Sequence, residues 1–284
     1  MLPEACKDPL IGMYYLATLP LRRRRAALLA SESRAPIMSL FYHRVADDHP
    51  NGWTIPLARF KAQINWLRDR YDLISLADVQ QRMGSSGNRT AAVSITFDDG
   101  YADNCREAIP WLIAEKIPFT YFVSTSHVLE GRPFEHDLQR GCPLAPNTPD
   151  QLRRMADAGV ELGSHTREHT DLGQVADVER LHSEIVGSKR DLEAIIGRAV
   201  RYFAFPFGLH PNLTQAAFGT AFRAGYWGVC SAYGGYNLPG DDPFHIHRIH
   251  GDPSWSRFCN WITADPRKFR RIPRFNAGEY RLNF

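Results

Sequence analysis

The sequence predicts an α/β protein in which parallel strands close into a barrel with helices outside, and three observations carry that prediction. Short runs rich in Val, Ile, Phe and Tyr recur along the chain, helical patterns separate them, and no internal repeat or linker divides the series into separate domains. Several of these runs end in glycine-flanked polar residues, as strands do when they deliver side chains to the C-terminal rim of a barrel. With 284 residues, 44% of them hydrophobic and 23% charged, the chain can bury one large core, which argues against a disordered or fibrous class.

Residues 1–35 read as an N-terminal helical extension. Its uncharged stretch 9–21 is too short to cross a bilayer, and the cluster Arg22–Arg25 follows rather than precedes it, the reverse of a secretory signal. No cleaved signal is expected, and the location that follows is cytoplasmic or peripheral to a membrane. The preferred reading packs this helix on the outside of the barrel; the other lays it along an anionic membrane surface.

The first strand, 37–43, ends in a His-Arg pair. Pro56 then opens a helix in which Phe60, Ile64 and Leu67 recur at helical spacing through Arg70. A short strand at 72–75 leads to a helix at 76–83, capped by Ser75, and a flexible loop at 84–88. The strand 92–97 follows, then a helix over 104–116 with a kink or new start at Pro110, and the β-rich run 118–124. Residues 125–149, with Gly, Pro and Asn, read as a long loop rimming a cleft, with His127, His136 and Asp137 on its edge. A helix at 149–158 closed by Gly159 precedes the strand-like piece 160–163. The longest helix is expected over 177–196, capped by Gly197; strand 200–205 and helix 212–223 come next. Strands 226–230 and 244–249, joined by a Gly-rich connection, complete the series.

A net charge of +3 is close to balanced, and its excess sits in Arg22–Arg25 and in Arg267, Lys268, Arg270, Arg271 and Arg274. Such runs read as solvated faces, and nucleic acid is not expected as a partner. Five cysteines, widely spaced and without a Cys-x-x-Cys pair, point to a reducing compartment rather than a disulfide scaffold.

Two stretches carry chemistry. In Thr96-Phe-Asp-Asp-Gly100 a strand breaks into adjacent acids, and Gly100 permits a bend sharp enough for both carboxylates to converge on one centre. One acid can then hold a metal while the other handles protons. In Ser164-His-Thr-Arg-Glu-His169 two imidazoles four residues apart meet on one side of a helical turn. With a distant acid they make a two-His-one-carboxylate set, which leaves coordination positions open for water and substrate.

Together with Phe203-Ala-Phe-Pro-Phe-Gly208, these stretches resemble the first three motifs of the polysaccharide deacetylase family, carbohydrate esterase family 4, also called the NodB-homology fold. The resemblance runs from about residue 37 to about residue 249 and implies a distorted parallel barrel of about seven strands. The catalytic domain is expected over 36–265, with 266–284 a basic tail. Asp98 is then the general base, and Asp99, His165 and His169 bind a divalent metal, by default Zn²⁺, with Co²⁺, Ni²⁺ or Fe²⁺ also accepted. Pro206, Phe207, Gly208, Tyr101 and Arg248 complete the expected oxyanion and substrate-binding group.

Two departures stand out. Many members carry an arginine against the catalytic acid where this chain has Ala204, and many carry a C-terminal Leu-x-His that supplies the general acid. The corresponding stretch here, Phe244-His-Ile-His-Arg-Ile-His250, matches that pattern imperfectly. A branch acting on poly-N-acetylglucosamine shows both departures and takes its acid from an N-terminal Tyr-His. Tyr42-His43 is similar to it, which implies His43 as acid. Phe207, Tyr226, Trp227, Tyr233 and Tyr236 could form a sugar-stacking platform, although core packing is the commoner role of each.

The expected activity is metal-dependent removal of N-acetyl groups from an N-acetylated amino-sugar polysaccharide or a lipid-linked saccharide. An O-acetyl esterase or small-amide hydrolase on the same scaffold is the first rival, and a carbohydrate-binding protein with a decayed site the second.

Overall fold

The computed structural model describes residues 4–265, 269, 273–275 and 277–282. Its strands in chain order are β1 (Ile37–Tyr42), β2 (Arg44–Val45), β3 (Thr54–Ile55), β4 (Asp72–Leu73), β5 (Ala92–Phe97), β6 (Phe119–Val123), β7 (Glu161–Ser164), β8 (Tyr202–Ala204), β9 (Gly228–Cys230), β10 (His245–Ile246) and β11 (Ile249–His250). Nine of them form one parallel sheet, ordered β10-β9-β8-β7-β6-β5-β1-β11 with β4 beside β5. Every residue of β1, β5 and β6 is buried, as expected of parallel strands covered on both faces. The sheet curls into a half-barrel with helices around it.

Its two edges, β10 and β11, come from one stretch of chain. The predicted strand 244–249 is broken: His245–Ile246 pairs with β9, and Ile249–His250 pairs with β1 at the far edge. His247 and Arg248 cross the gap between them. Buried Asn237 spans the same gap, its backbone pairing with Ile37 (2.9 Å both ways) and its side-chain NH₂ donating to the Ile37 and His247 carbonyls. A strand that serves two edges cannot stay continuous, which explains the break.

Other expectations are adjusted by local packing. The longest helix is Glu4–Ser31. The helix predicted over 177–196 begins as an α-helix at Val178–His182, widens to a π-helix at Ser183–Gly187 and returns to an α-helix at Ser188–Ile196. A 3₁₀ turn at Ala102–Cys105 precedes the helix Ala108–Ala114, so Pro110 lies in a first turn, where its missing N–H costs nothing. The expected loop 125–149 folds into helices Thr125–Glu130 and Glu135–Gln139.

The helix Glu4–Ser31 packs against the helix Trp255–Ile262. Arg22 is buried there, donating to Asp265 (3.0 Å) and to the Asn260 side chain (2.6 Å), so the Arg22–Arg25 run is not wholly a solvated face. The outward side of this helix exposes Leu10, Met13, Leu16, Leu21 and Leu28. No helix among the described residues is long and apolar enough to cross a membrane. Of the C-terminal basic run, Arg267, Lys268, Arg270 and Arg271 lie outside the described residues. Arg274 pairs with Asp241 (2.6 Å), while Phe275 stacks on Phe218 and Tyr280 is buried against Phe244, so this part of the expected tail belongs to the core.

Candidate active site

The site begins with the bend after β5. Asp99 and Gly100 both take left-handed backbone angles (φ 70° and 94°), a conformation open to Gly and tolerated by Asp. A Cβ at Gly100 would lie 2.9 Å from the Val123 side chain, so that position needs glycine. The double bend brings Asp98 and Asp99 into one cavity of about 460 Å³, also lined by His43, His165, His169 and Phe207.

The second corner follows β7. His165 and His169 do not share a helical turn, as their spacing suggested; Thr166 (φ 64°) and His169 (φ 52°) fold an irregular loop. Glu184, buried in the π-helical turn, holds that loop by accepting from the N–H groups of Arg167 (3.0 Å) and Glu168 (3.1 Å) and from the Thr170 hydroxyl (2.8 Å). The wider π turn is the kind of irregularity that often accompanies a functional site.

Because a carbonyl only accepts, the 2.8 Å contact between His165 Nδ1 and the Ala204 oxygen places the ring proton on Nδ1. The Nε2 lone pair then faces Asp99 Oδ1 at 3.5 Å, and His169 Nε2 lies 3.2 Å from the same oxygen. One ligand atom from each of the three residues falls within 4.8 Å of the others. Asp99 Oδ1 is buried without a hydrogen-bond donor in the protein. A buried carboxylate oxygen beside an imidazole lone pair is a donor set short of a cation, so these residues fit a divalent ion such as zinc.

Asp98 is held differently. Arg248, fully buried, grips it through two bonds, Nη1 to Oδ1 (2.6 Å) and Nη2 to Oδ2 (2.8 Å), and also donates to Thr96 Oγ1 and the Ser231 carbonyl. Its guanidinium is sandwiched between the rings of Phe41 and Phe122, at 5.1 and 5.4 Å. Fully buried and engaged by these partners, Arg248 positions the acid, the role left open by Ala204, rather than joining the oxyanion and substrate-binding group in which the sequence placed it. Burial opposes ionisation of Asp98, but the guanidinium outweighs it and holds the carboxyl below its usual range. Burial likewise opposes ionisation of Asp99, and the imidazoles, His43 foremost, hold it well below that range.

His43 follows β1, whose parallel register with β5 sets Tyr42 opposite Phe97 and so brings His43 level with Asp98. Its ring lies 4.6 Å from Trp53, and its buried Nδ1 has no partner in the protein. Burial lowers its proton affinity, while Asp99 and Asp98 pull the other way. Among the final-strand histidines, His250 also lines the cavity, its pKa pushed down to about 4 by burial and then by His43. His245 and His247 are buried around Ser231 Oγ, outside that lining.

Phe207 sits on a left-handed turn (φ 60°) with its ring half-exposed, 5.1 Å from His169. Among the described residues no hydrogen bond uses its N–H, which leaves that donor free for an oxyanion. Gly208 cannot assist, since its N–H bonds to the Pro206 oxygen (2.6 Å); its role is steric, because a Cβ would lie 2.6 Å from that of Ala232. Pro206 has no N–H and sets the turn. Tyr101 is buried outside the cavity, its hydroxyl donating to Asp137 Oδ2 and meeting His136 Nε2, both at 2.8 Å. It is a structural residue rather than the expected substrate contact.

Of the proposed stacking aromatics, only Phe207 lines the cavity. Tyr226 and Tyr236 are core residues, Tyr233 donates to the Pro273 carbonyl, and Trp227 lies before β9, at the strand's opposite end from the site. The cavity wall includes Trp53, His136 and Leu209, of which only His136 was expected near the rim. Trp53 sits on a surface loop with no local signature of chemistry.

Comparison with known proteins finds its relatives among the polysaccharide deacetylases. The sequence model of the polysaccharide deacetylase family matches residues 86–223. YxkH of Bacillus subtilis is 24% identical over 233 residues, 81% of this chain and 77% of YxkH. A chitooligosaccharide deacetylase of Bradyrhizobium is 28% identical over 165 residues, 56% of this chain and 65% of that protein. Among solved structures, the Streptococcus pyogenes deacetylase PplD superposes with a TM-score of 0.68 at 22% identity, covering 82% of this chain and all of PplD. IcaB from Ammonifex degensii gives 0.64 at 24% identity, covering 80% of this chain and 97% of IcaB.

Proposed function

Residues 86–223 are a polysaccharide deacetylase domain, and from that premise we propose that the chain, through a catalytic unit over 36–265, removes N-acetyl groups from an N-acetylated amino-sugar polysaccharide or lipid-linked saccharide. The observation that carries this reading is the separation of the two adjacent acids. Asp98 is gripped on both oxygens by Arg248, while Asp99 faces two imidazoles with an unpaired oxygen.

Asp99, His165 and His169 would hold a divalent cation, with zinc the default for this ligand set. When bound, such an ion polarises the acyl oxygen and lowers the pKa of water toward about 7. Asp98, kept ionised by Arg248, takes the proton of the attacking water. The Phe207 N–H donates to the oxygen on which negative charge develops. His43, faced by both carboxylates, gives its proton to the departing nitrogen, because an amine cannot leave as an anion at neutral pH.

Acetate release from chitooligosaccharides and from acetylated xylan, with and without chelator, tests the proposal. Chelator-sensitive release from the first is expected. Release from xylan alone would transfer the chain to the O-acetyl esterases, and binding without release would make it a decayed site.

The exposed row Leu10, Met13, Leu16, Leu21 and Leu28, with Arg23 and Arg24 in no ion pair among the described residues, supports a second element of the proposal, contact with an anionic membrane surface. Sedimentation with phosphatidylglycerol vesicles but not phosphatidylcholine vesicles is expected; equal recovery with both would remove it.

A further inference from the structure

A polymer that presents one acetylated sugar to the catalytic cavity must route its neighbouring sugars along the surface. Of the other clefts described, one shares lining residues with that cavity: an open groove of about 1090 Å³ that begins at Trp53 and His250 and runs to Trp255. The remaining clefts share none. From this continuity we propose that the groove is the binding site for the sugars flanking the one that reacts, and that Trp53 and Trp255 are its stacking platforms.

The chemistry of the walls suits that occupant. Trp53 is 46% and Trp255 36% exposed, well above what a core tryptophan shows, and both face the same groove. One side of a pyranose ring is a sheet of C–H bonds, and it packs against the electron-rich face of an indole. Trp255 is held from behind by Trp66 and Phe258, at 6.3 and 5.6 Å, which fixes the ring at little entropic cost to binding. The wall between the tryptophans is polar: Arg59 is solvent-exposed, Arg257 pairs with Asp8 (2.6 Å), and Asp252 accepts from the Ser254 N–H (2.8 Å). An apolar platform with a few placed polar groups is the usual make-up of a ligand site. The near end of the groove is level with His43, whose ring lies 4.6 Å from Trp53, so a chain lying in it enters the catalytic cavity on the side of the proposed acid.

The inference rests on the deacetylase reading for its substrate class, and the experiment separates the two. Chitobiose and chitohexaose are titrated calorimetrically into the chelated protein, and acetate release from each is measured separately with metal restored. Wild type is expected to bind the hexamer at least about tenfold tighter than the dimer. Trp255→Ala should lose most of that difference while binding the dimer as before.

Since Trp255 also packs on Phe258, a second variant avoids the core. Gly52 lines the groove, and a Cβ built there meets nothing within 4 Å, so the side chain of Gly52→Trp starts in open space on the groove wall, away from the core. It should weaken hexamer binding to the same extent. Equal binding of dimer and hexamer by wild type, or full hexamer affinity in folded Gly52→Trp, overturns the groove. Length-dependent binding with no acetate release would leave the groove standing and sink the deacetylase reading instead.

Discussion

The corner after β5 and the crossing between β10 and β11 both contribute to the handling of Asp98, yet they are built in opposite ways. At the first, nine consecutive residues contain the strand, the two acids and the glycine that lets them turn, so chemistry and geometry are encoded together. At the second, Arg248 stands in a stretch of alternating histidines and apolar residues and acquires its grip on Asp98 only because the chain leaves one sheet edge and joins the other. A local motif announces its role, whereas a residue recruited where the two sheet edges meet does not. The acid is placed by its own strand, and its charge is set by a residue 150 positions away.

The largest expected effect breaks the local side. His165→Ala removes an imidazole whose orientation is fixed by the Ala204 carbonyl, and metal content and activity should both be lost while circular dichroism stays native. Full metal content in that variant would reject the ligand set.

Removal of the arginine tests the tertiary side. Arg248→Ala leaves the Asp98 carboxylate buried without a partner, and denaturant unfolding should show a loss of about 3–5 kcal/mol, as for other broken buried pairs. The double variant Asp98→Asn/Arg248→Met should recover part of that stability but no turnover. If the single and double variants unfolded alike, the pair would be no more than a contact.

The roles of His43 and His250 sharpen the comparison further, since one follows the first strand and the other ends the last. His43→Ala should retain metal and lose on the order of 10²–10⁴ in kcat, the range for a missing general acid. His250→Ala, at a ring faced by one carboxylate rather than two, should lose less than about tenfold. A reversed order in steady-state assays would move the acid to the C-terminal strand.

The smallest expected effect is that of Trp227→Ala. Its ring is exposed and stacked on Arg201, before the start of β9 and away from the site. KM and kcat should stay unchanged within error, and a raised KM would mean that the glycan reaches the far end of the strands.

By itself the sequence determined the alternation of strands and helices, the two corner motifs and the parallel first strand that carries His43 to the rim. These depend on residues close in the chain, where side-chain periodicity and turn chemistry act directly. Only the tertiary structure decided that the final strand splits between two edges, that Arg248 rather than a residue at position 204 grips Asp98, and that Glu184 fastens the histidine loop. It likewise withdrew Tyr101 from the cavity and brought Trp53 into its wall. Each of these outcomes joins residues beyond the reach of a local motif, from the 17 positions between Arg167 and Glu184 to the 150 between Asp98 and Arg248. Buried donors and acceptors there must find partners across the barrel, and no local pattern records which partner the closed sheet supplies.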